Sequence, residues 1–255
     1  MNRITILLIA AFLVAASTAN SQKVTSDAVV GFTKIKPATD VSNEQFEAVY
    51  LEEFIPAFYK EFSVPICLLK KIEGNRMEEY ILFKVFESLK RRNQLYPESG
   101  VTTDEAKEGN KNMKETWSKV YETASLVAYE DYLVLPFSGK GINVKAGNIV
   151  YVFECEITLE EGMTYKELEQ FYEEEYGPSL MKNFPGIQFC VLKGERGDRI
   201  GKYTELIVIK SKEDFNKWKA EDSKKTKQAY KNMGEIQVRM ENMYSDSNSD
   251  VYIVL

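Results

Sequence analysis

The chain repeats itself, and that constrains its fold more than any other feature. Tyr50 to Pro65 reads YLEEFIPAFYKEFSVP, and Phe171 to Gly186 reads FYEEEYGPSLMKNFPG. Setting Pro56 against Pro178 gives an offset of 178 − 56 = 122 residues. At that offset Phe46 meets Leu168, Tyr50 meets Tyr172, Phe54 meets Tyr176, Phe58 meets Leu180 and Phe62 meets Phe184. Ser42-Asn-Glu-Gln45 and Thr164-Tyr-Lys-Glu167 both read as capping boxes, in which a hydroxyl accepts from the first helical turn and Gln or Glu reaches back. One residue of slippage sets Cys67-Leu-Leu-Lys70 against Cys190-Val-Leu-Lys193. Farther on, Glu79–Lys84 falls on Glu205–Lys210, and Tyr132–Leu135 on Tyr252–Leu255. The chain therefore reads as two colinear copies of one unit of about 110 residues. We place them at 22–136 and 148–255, joined by a linker at 137–147 whose Gly and Ser content suits a connection.

Each unit reads as strand, helix, two strands, helix, strand. The first strand is Val29–Lys36 or Ile149–Thr158, and a helix follows from the capping box. Strands at 64–72 and 79–86 correspond to 187–193 and 203–210, with Gly-bearing turns between them. In the first copy the second helical region breaks at Tyr96-Pro-Glu-Ser-Gly100 and restarts at Thr102-Thr-Asp-Glu105. In the second it runs on from Ser211-Lys-Glu-Asp214 to about Met243. The order βαββαβ is the ferredoxin-like split βαβ unit. Its sheet has helices on one face only, so the other apolar face must be covered. The fold class is α+β: two tandem ferredoxin-like βαββαβ repeats closing an intramolecular pseudo-dimeric α+β barrel, a monomer that mimics a dimer.

Pro removes a helical hydrogen bond, clashes with the preceding turn and restricts the residue before it. The helix is expected to kink or restart at Pro56 and Pro178, then stop before Val64-Pro65 and Pro185-Gly186. The apolar stripes 46/50/54/58/62 and 168/172/176/180/184 run across those breaks and face a core.

Acidic and aromatic residues, x-Pro, apolar and basic residues, then Pro-Gly: this pattern in Phe171–Gly186, echoed in Tyr50–Pro65, resembles the dimeric α+β barrel superfamily. Its EthD-like and antibiotic-biosynthesis-monooxygenase-like branches are most similar. The resemblance implies barrels usually built from two chains, with activities that include cofactor-free oxygenation, isomerisation and haem chemistry. Some EthD-like members carry His two residues before this Pro, where the present chain has Tyr176 and Phe54.

The sequence contains no histidine, which excludes a His general base, Ser-His-Asp and Cys-His pairs, and His-ligated zinc or haem. Its three cysteines form no metal-ligand spacing and lie in apolar runs, as buried free thiols do. No cofactor and no metal site is expected. The formal charge of −6 without a basic stripe argues against nucleic acid as a partner. Residues 1–21 read as a secretory signal: Arg3, then an apolar run from Ile4 to Ala16, then small residues, with cleavage after Ala19 or Ser21. The expected location is secreted or periplasmic, with no membrane span after signal removal.

Tyr50, Phe54, Tyr172 and Tyr176 lie on the stripes, and Trp117 on a second helical region. If the barrel is not filled, they line an apolar pocket with hydroxyl handles; otherwise they are core. Glu52-Glu53 and Glu173-Glu174-Glu175 offer a general base only if one is buried, and a solvated helix face is the plainer reading. The Gly194–Gly201 stretch lies between strands and is a turn, not a phosphate cradle. Three functions follow: a noncatalytic protein binding a small apolar or aromatic molecule, the favoured reading; a cofactor-independent monooxygenase- or isomerase-like enzyme; or an interaction module with a filled core. A cavity with a buried Glu or paired Tyr hydroxyls favours the enzyme, an apolar cavity without those groups favours binding, and no cavity favours the interaction module.

Overall fold

The computed structural model describes residues 22–75, 77–98, 100–137, 141–219 and 224–255. The segment expected to be a signal, with its expected cleavage point, lies outside them. Eight antiparallel strands close a barrel: β2 (Val29–Pro37), β3 (Ile66–Glu73), β4 (Tyr80–Phe86), β5 (Ala124–Val134), β7 (Ile149–Ile157), β8 (Ile187–Arg196), β9 (Tyr203–Ile209) and β10 (Tyr244–Val254), in the order β10-β3-β4-β2-β5-β8-β9-β7. The first half contributes β3-β4-β2-β5 and the second β8-β9-β7-β10, the same ferredoxin-like order. The halves join where β5 pairs with β8 and β10 with β3. Closure leaves the barrel without an edge strand.

The register fixes which residues correspond. Val29 pairs with Phe86 and Leu133, and Ile149 pairs with Ile209 and Ile253. The halves therefore match at offsets of 149 − 29 = 120, 209 − 86 = 123 and 253 − 133 = 120 along successive strands. A mirrored triad supports this register. Tyr80 and Lys70 both donate to Glu47, at 2.6 and 2.7 Å, and Tyr203 and Lys193 both donate to Glu169, at 2.8 Å each. The alignment of Glu79 with Glu205 is thus corrected by three residues, and Glu205 stands where the first half has Leu82.

The lumen is a packed core. Phe32, Phe83, Tyr132, Tyr252, Cys67 and Cys190 are buried in one cluster there, with Phe32 and Tyr132 rings 5.0 Å apart. Two three-residue strands, β1 (Gln22–Val24) and β6 (Ile142–Val144), pair antiparallel and send Val24, Ile142 and Val144 into the same cluster. Strand β6 lies within the segment expected to be a plain linker. Toward the other end, alternation along the same strands puts charged residues on the inner face. Lys34 pairs there with Glu130 and Glu154 at 3.3 and 3.0 Å, and Lys71 with Glu79 and Asp250 at 2.8 and 2.9 Å.

The Pro-bearing helices are continuous, which corrects the expected break. In the first half α1 (Asn43–Ala48) runs through a π-helical turn, Val49–Phe54, into α2 (Ile55–Phe62). In the second, α6 (Tyr165–Phe171) runs through Tyr172–Tyr176 into α7 (Gly177–Asn183). Ile55 and Gly177 keep helical angles, and their N–H groups bond five residues back, to Tyr50 and Tyr172. Widening the turn by one residue ahead of Pro accommodates the missing N–H and the ring. The helices then end before Val64-Pro65 and Pro185-Gly186 as expected.

The second helical regions comprise α3 (Leu89–Leu95), α4 (Asp104–Asn112) and α5 (Lys114–Thr123) in the first half. The cap of α4 is Thr103, one residue later than read from sequence, with Ala106 N–H donating to its hydroxyl. Among the described residues the second half holds α8 (Lys212–Lys219), α9 (Lys224–Met233) and α10 (Glu235–Met243), so the expected run is interrupted after Met233. Gly234, at φ +54°, divides the last two, because that left-handed backbone suits only Gly well. All three cysteines are free and buried.

Candidate functional site

The five residues expected to line a pocket lie between helices and sheet, outside the lumen, and they fall into two places. Tyr50, Phe54 and Trp117 pack in the first half, with Phe54 5.5 Å from Tyr50 and 5.0 Å from Trp117, ring to ring. Tyr172 and Tyr176 pack in the second, 5.8 Å apart and edge-on, each against Phe189. The two groups lie in separate helix–sheet clusters, one per half, and not at one site.

Around Tyr172 and Tyr176 the second half gathers groups that the sequence reading missed. Glu205 on β9 projects from the sheet toward the π turn and is 3 % exposed. Tyr244, the first residue of β10, donates its hydroxyl to the Glu205 carboxylate. The buried Tyr172 hydroxyl has no satisfied hydrogen bond and lies beside the same carboxylate. Cys155 of β7 completes the group, its thiol donating to the Phe153 carbonyl at 3.4 Å.

The first half shows what this layer looks like without that chemistry. By the strand register, Cys155, Glu205 and Tyr244 stand where the first half has Ile35, Leu82 and Ala124. By the helix alignment, Tyr176 stands where it has Phe54, and only Tyr172 keeps its counterpart, Tyr50. Ile35, Leu82 and Phe54 are ordinary buried core.

Electrostatics follow from burial. Loss of water pushes the Glu205 carboxyl up from about 4.5 to about 7, with the Tyr244 and Tyr172 hydroxyls pulling the other way. Burial, with Glu205 close by, raises the Tyr172, Tyr176 and Tyr244 hydroxyls well above the usual tyrosine range. The tyrosines are therefore donors, and Glu205 is the one group of the set that takes or gives a proton near neutrality.

Two surface clefts flank α10, the helix that leads into Tyr244. One, of about 460 Å³, is lined by Met163, Phe171, Glu174 and Arg239 among others; the second, of about 550 Å³, lies between α9 and α10 beside Tyr230 and Val238. Arg239 sits 4.7 Å over the Phe171 ring, and that ring is 6.3 Å from Tyr176. Phe171 is thus a shared wall between the first cleft and the buried site. Glu174 and Glu175 are exposed, and Glu53 pairs with Lys119 at 2.5 Å, as a solvated face requires. Among the described residues, no cluster of three or more His, Cys, Asp or Glu has the arrangement of a metal site.

This architecture is the dimeric α+β barrel fold. No family model and no curated protein matches the chain. Solved structures do. A candidate monooxygenase from Fusobacterium nucleatum subsp. nucleatum is similar at a TM-score of 0.55 and 11 % identity, over 90 % of this chain and 93 % of that one. A chlorite dismutase variant from Candidatus Nitrospira defluvii, in complex with cyanide, matches at 0.52 and 5 % identity, over 90 % and 91 %. An anthrone oxidase-like protein matches at 0.50 and 13 % identity, over 92 % and 94 %. Identities this low establish the shared fold, and the site must be argued from this chain's own residues.

Proposed function

We propose that the helix–sheet layer of the second half takes a small aromatic molecule and that Glu205 moves a proton to or from it. The carrying observation is the replacement of an apolar wall by Glu205, Tyr244, Tyr176 and Cys155, in a frame the first half builds from Leu82, Ala124, Phe54 and Ile35. A buried acid near its midpoint at neutral pH exchanges protons at little cost. The Tyr172 and Tyr176 rings supply apolar faces, and the Tyr172 hydroxyl supplies a donor for an anion that forms when Glu205 takes a phenolic or activated C–H proton. Such an anion isomerises on reprotonation, or reacts with dioxygen through its own electrons, so the chain's residues need only bind, orient and handle the proton. The monooxygenase and anthrone oxidase-like names of two structural neighbours support this chemistry. The Phe171–Gly186 stretch supports the EthD-like or antibiotic-biosynthesis-monooxygenase-like branch, and the mirrored halves support a tandem duplication. The apolar run from Ile4 to Ala16 supports a location outside the cytoplasm.

Native mass spectrometry of the protein from its own envelope fraction, with a denatured mass alongside, tests this reading. The denatured mass is expected to show loss of the N-terminal signal, and the native mass an aromatic molecule released on denaturation. Glu205→Gln is expected to keep the molecule and abolish its turnover, whereas Tyr176→Ala is expected to lose it. Binding unaffected by both substitutions, or turnover undiminished in Glu205→Gln, overturns the site.

A further inference from the structure

The first half holds a buried charged cluster that the Glu205 site does not use. Gly31, Lys84 and Asp131 lie side by side on β2, β4 and β5, with Gly31 paired to both others. Arg92 reaches Asp131 from α3, with Nη1 3.1 Å from Oδ2. Arg196 comes from β8 of the second half, with Nη1 3.8 Å from the same oxygen. Tyr129 donates to Asp131 Oδ1 at 2.7 Å, and Lys84 donates to Thr33 Oγ1 at 2.9 Å. Three cations thus converge on one buried carboxylate, and buried charge left without balance is costly.

Arg196 also donates to the Tyr96 carbonyl at 2.7 Å and to Asn93 Oδ1 at 3.3 Å, whereas the Arg92 donors are not satisfied. Arg92 is fully buried, yet its Nε, Nη1 and Nη2 make no hydrogen bond, and neither does Asp131 Oδ2. A guanidinium has five N–H groups arranged as a fork that fits a carboxylate or phosphate. Glu98, in the turn after α3, is the nearest anion outside the cluster. Its side chain is 71 % exposed, and its carboxylate lies 3.8 Å from Arg92 and 3.9 Å from Arg196, beyond hydrogen-bond reach.

We propose that Arg92, Arg196 and Lys84 form a site for a small oxyanion, either inorganic phosphate or the phosphate or carboxylate group of a larger molecule, which takes the place of the loosely held Glu98 carboxylate. Burial holds Lys84 down at about 8, against the pull of Asp131, so it keeps its charge near neutrality, and an added anion offsets that charge. The cluster is not a demand of the fold. The second half has Ile207, Val251 and Phe215 at the corresponding positions, in an apolar cluster. Tyr151 fills the place of Gly31, where an added Cβ would stand 3.1 Å from Asp131 Oδ1.

Isothermal titration of the whole chain with sodium phosphate, and separately with sodium formate, at fixed ionic strength tests the site. Saturable binding to one site is expected for at least one anion; phosphate alone assigns a tetrahedral group and formate alone a carboxylate. Arg92→Lys and Arg196→Gln are each expected to weaken it about tenfold, the loss of one charge-assisted hydrogen bond. Glu98→Gln, on an exposed residue that does not threaten folding, is expected to tighten it about threefold by removing the competing charge. Absence of saturable binding in both wild type and Glu98→Gln overturns the proposal, as does unchanged affinity in Arg196→Gln.

Discussion

The two halves share a strand order, a π turn and a Glu–Lys–Tyr triad, yet they bury opposite things. The second half places Glu205 and Tyr244 where the first has Leu82 and Ala124. The first places Lys84, Asp131 and Arg92 where the second has Ile207, Val251 and Phe215. Each half is therefore the apolar control for the other. Both polar groups occupy positions that the same frame fills with hydrocarbon, so packing alone does not call for them, and hydrocarbon there is commonly as stable or more so. The comparison separates residues that make the barrel from residues that do something in it.

The largest expected effect comes from breaking the charged cluster unevenly. Asp131→Val leaves Arg92 and Lys84 buried without a counter-charge and should cost about 3–5 kcal/mol in urea unfolding. Adding Lys84→Ile and Arg92→Phe copies the second half and should recover most of that loss. A single variant as stable as wild type would show that the cations escape to solvent, and the comparison would fail there.

Next comes pH. Glu205 ionises at about 4.5 when unfolded and about 7 when folded, so between those values the unfolded chain has released a proton that the folded chain keeps. Its contribution is neutral below pH 4.5 and becomes a penalty as pH rises to 7, reaching about 3 kcal/mol above it. The stability of Glu205→Leu relative to wild type should therefore increase by about that amount between pH 4 and pH 8. A difference that does not change with pH would mean that Glu205 titrates normally.

The smallest effect concerns the π turns. A Cβ on Gly177 would stand 2.9 Å from the Tyr172 carbonyl and 3.1 Å from the Phe189 ring. Gly177→Ala should cost about 1–2 kcal/mol of thermal stability through overpacking. The first half carries Ile55 at that place, so Ile55→Ala should act through lost burial instead, and Phe189→Leu should relieve only the Gly177 variant.

What was legible in the sequence was local. The βαββαβ order, both capping boxes and the helix ends rest on contacts a few residues apart. The response to Pro was not, because a kink and a π turn both relieve the same clash and packing against the sheet chooses between them. Strands β1 and β6 are three residues each, and their pairing of Gln22 with Val144 spans the whole first half and most of the segment read as a linker. In the site, Tyr172 and Tyr176 were visible as stripe residues. Glu205 was hidden by an alignment three residues out of register, which matched it to Glu79, a barrel-rim partner of Lys71. The signal was present all the same: Tyr203, Glu205 and Ile207 share one face of YTELIVI, and an acid there has apolar neighbours on both sides. Tyr244 escaped because only the last, apolar residues of β10 read as strand; the preceding YSDSNSD is too polar to do so.

One chain supplies both halves of this wall, and that has a genetic consequence. In a barrel assembled from two identical subunits, every codon change is expressed twice, so a buried acid would burden both copies and could not be tried alone. A single reading frame that encodes both halves lifts this restriction: one half can accept a costly side chain while its twin holds the barrel together. The opposite placement of Glu205 and of Lys84 with Asp131 is the pattern that such freedom allows.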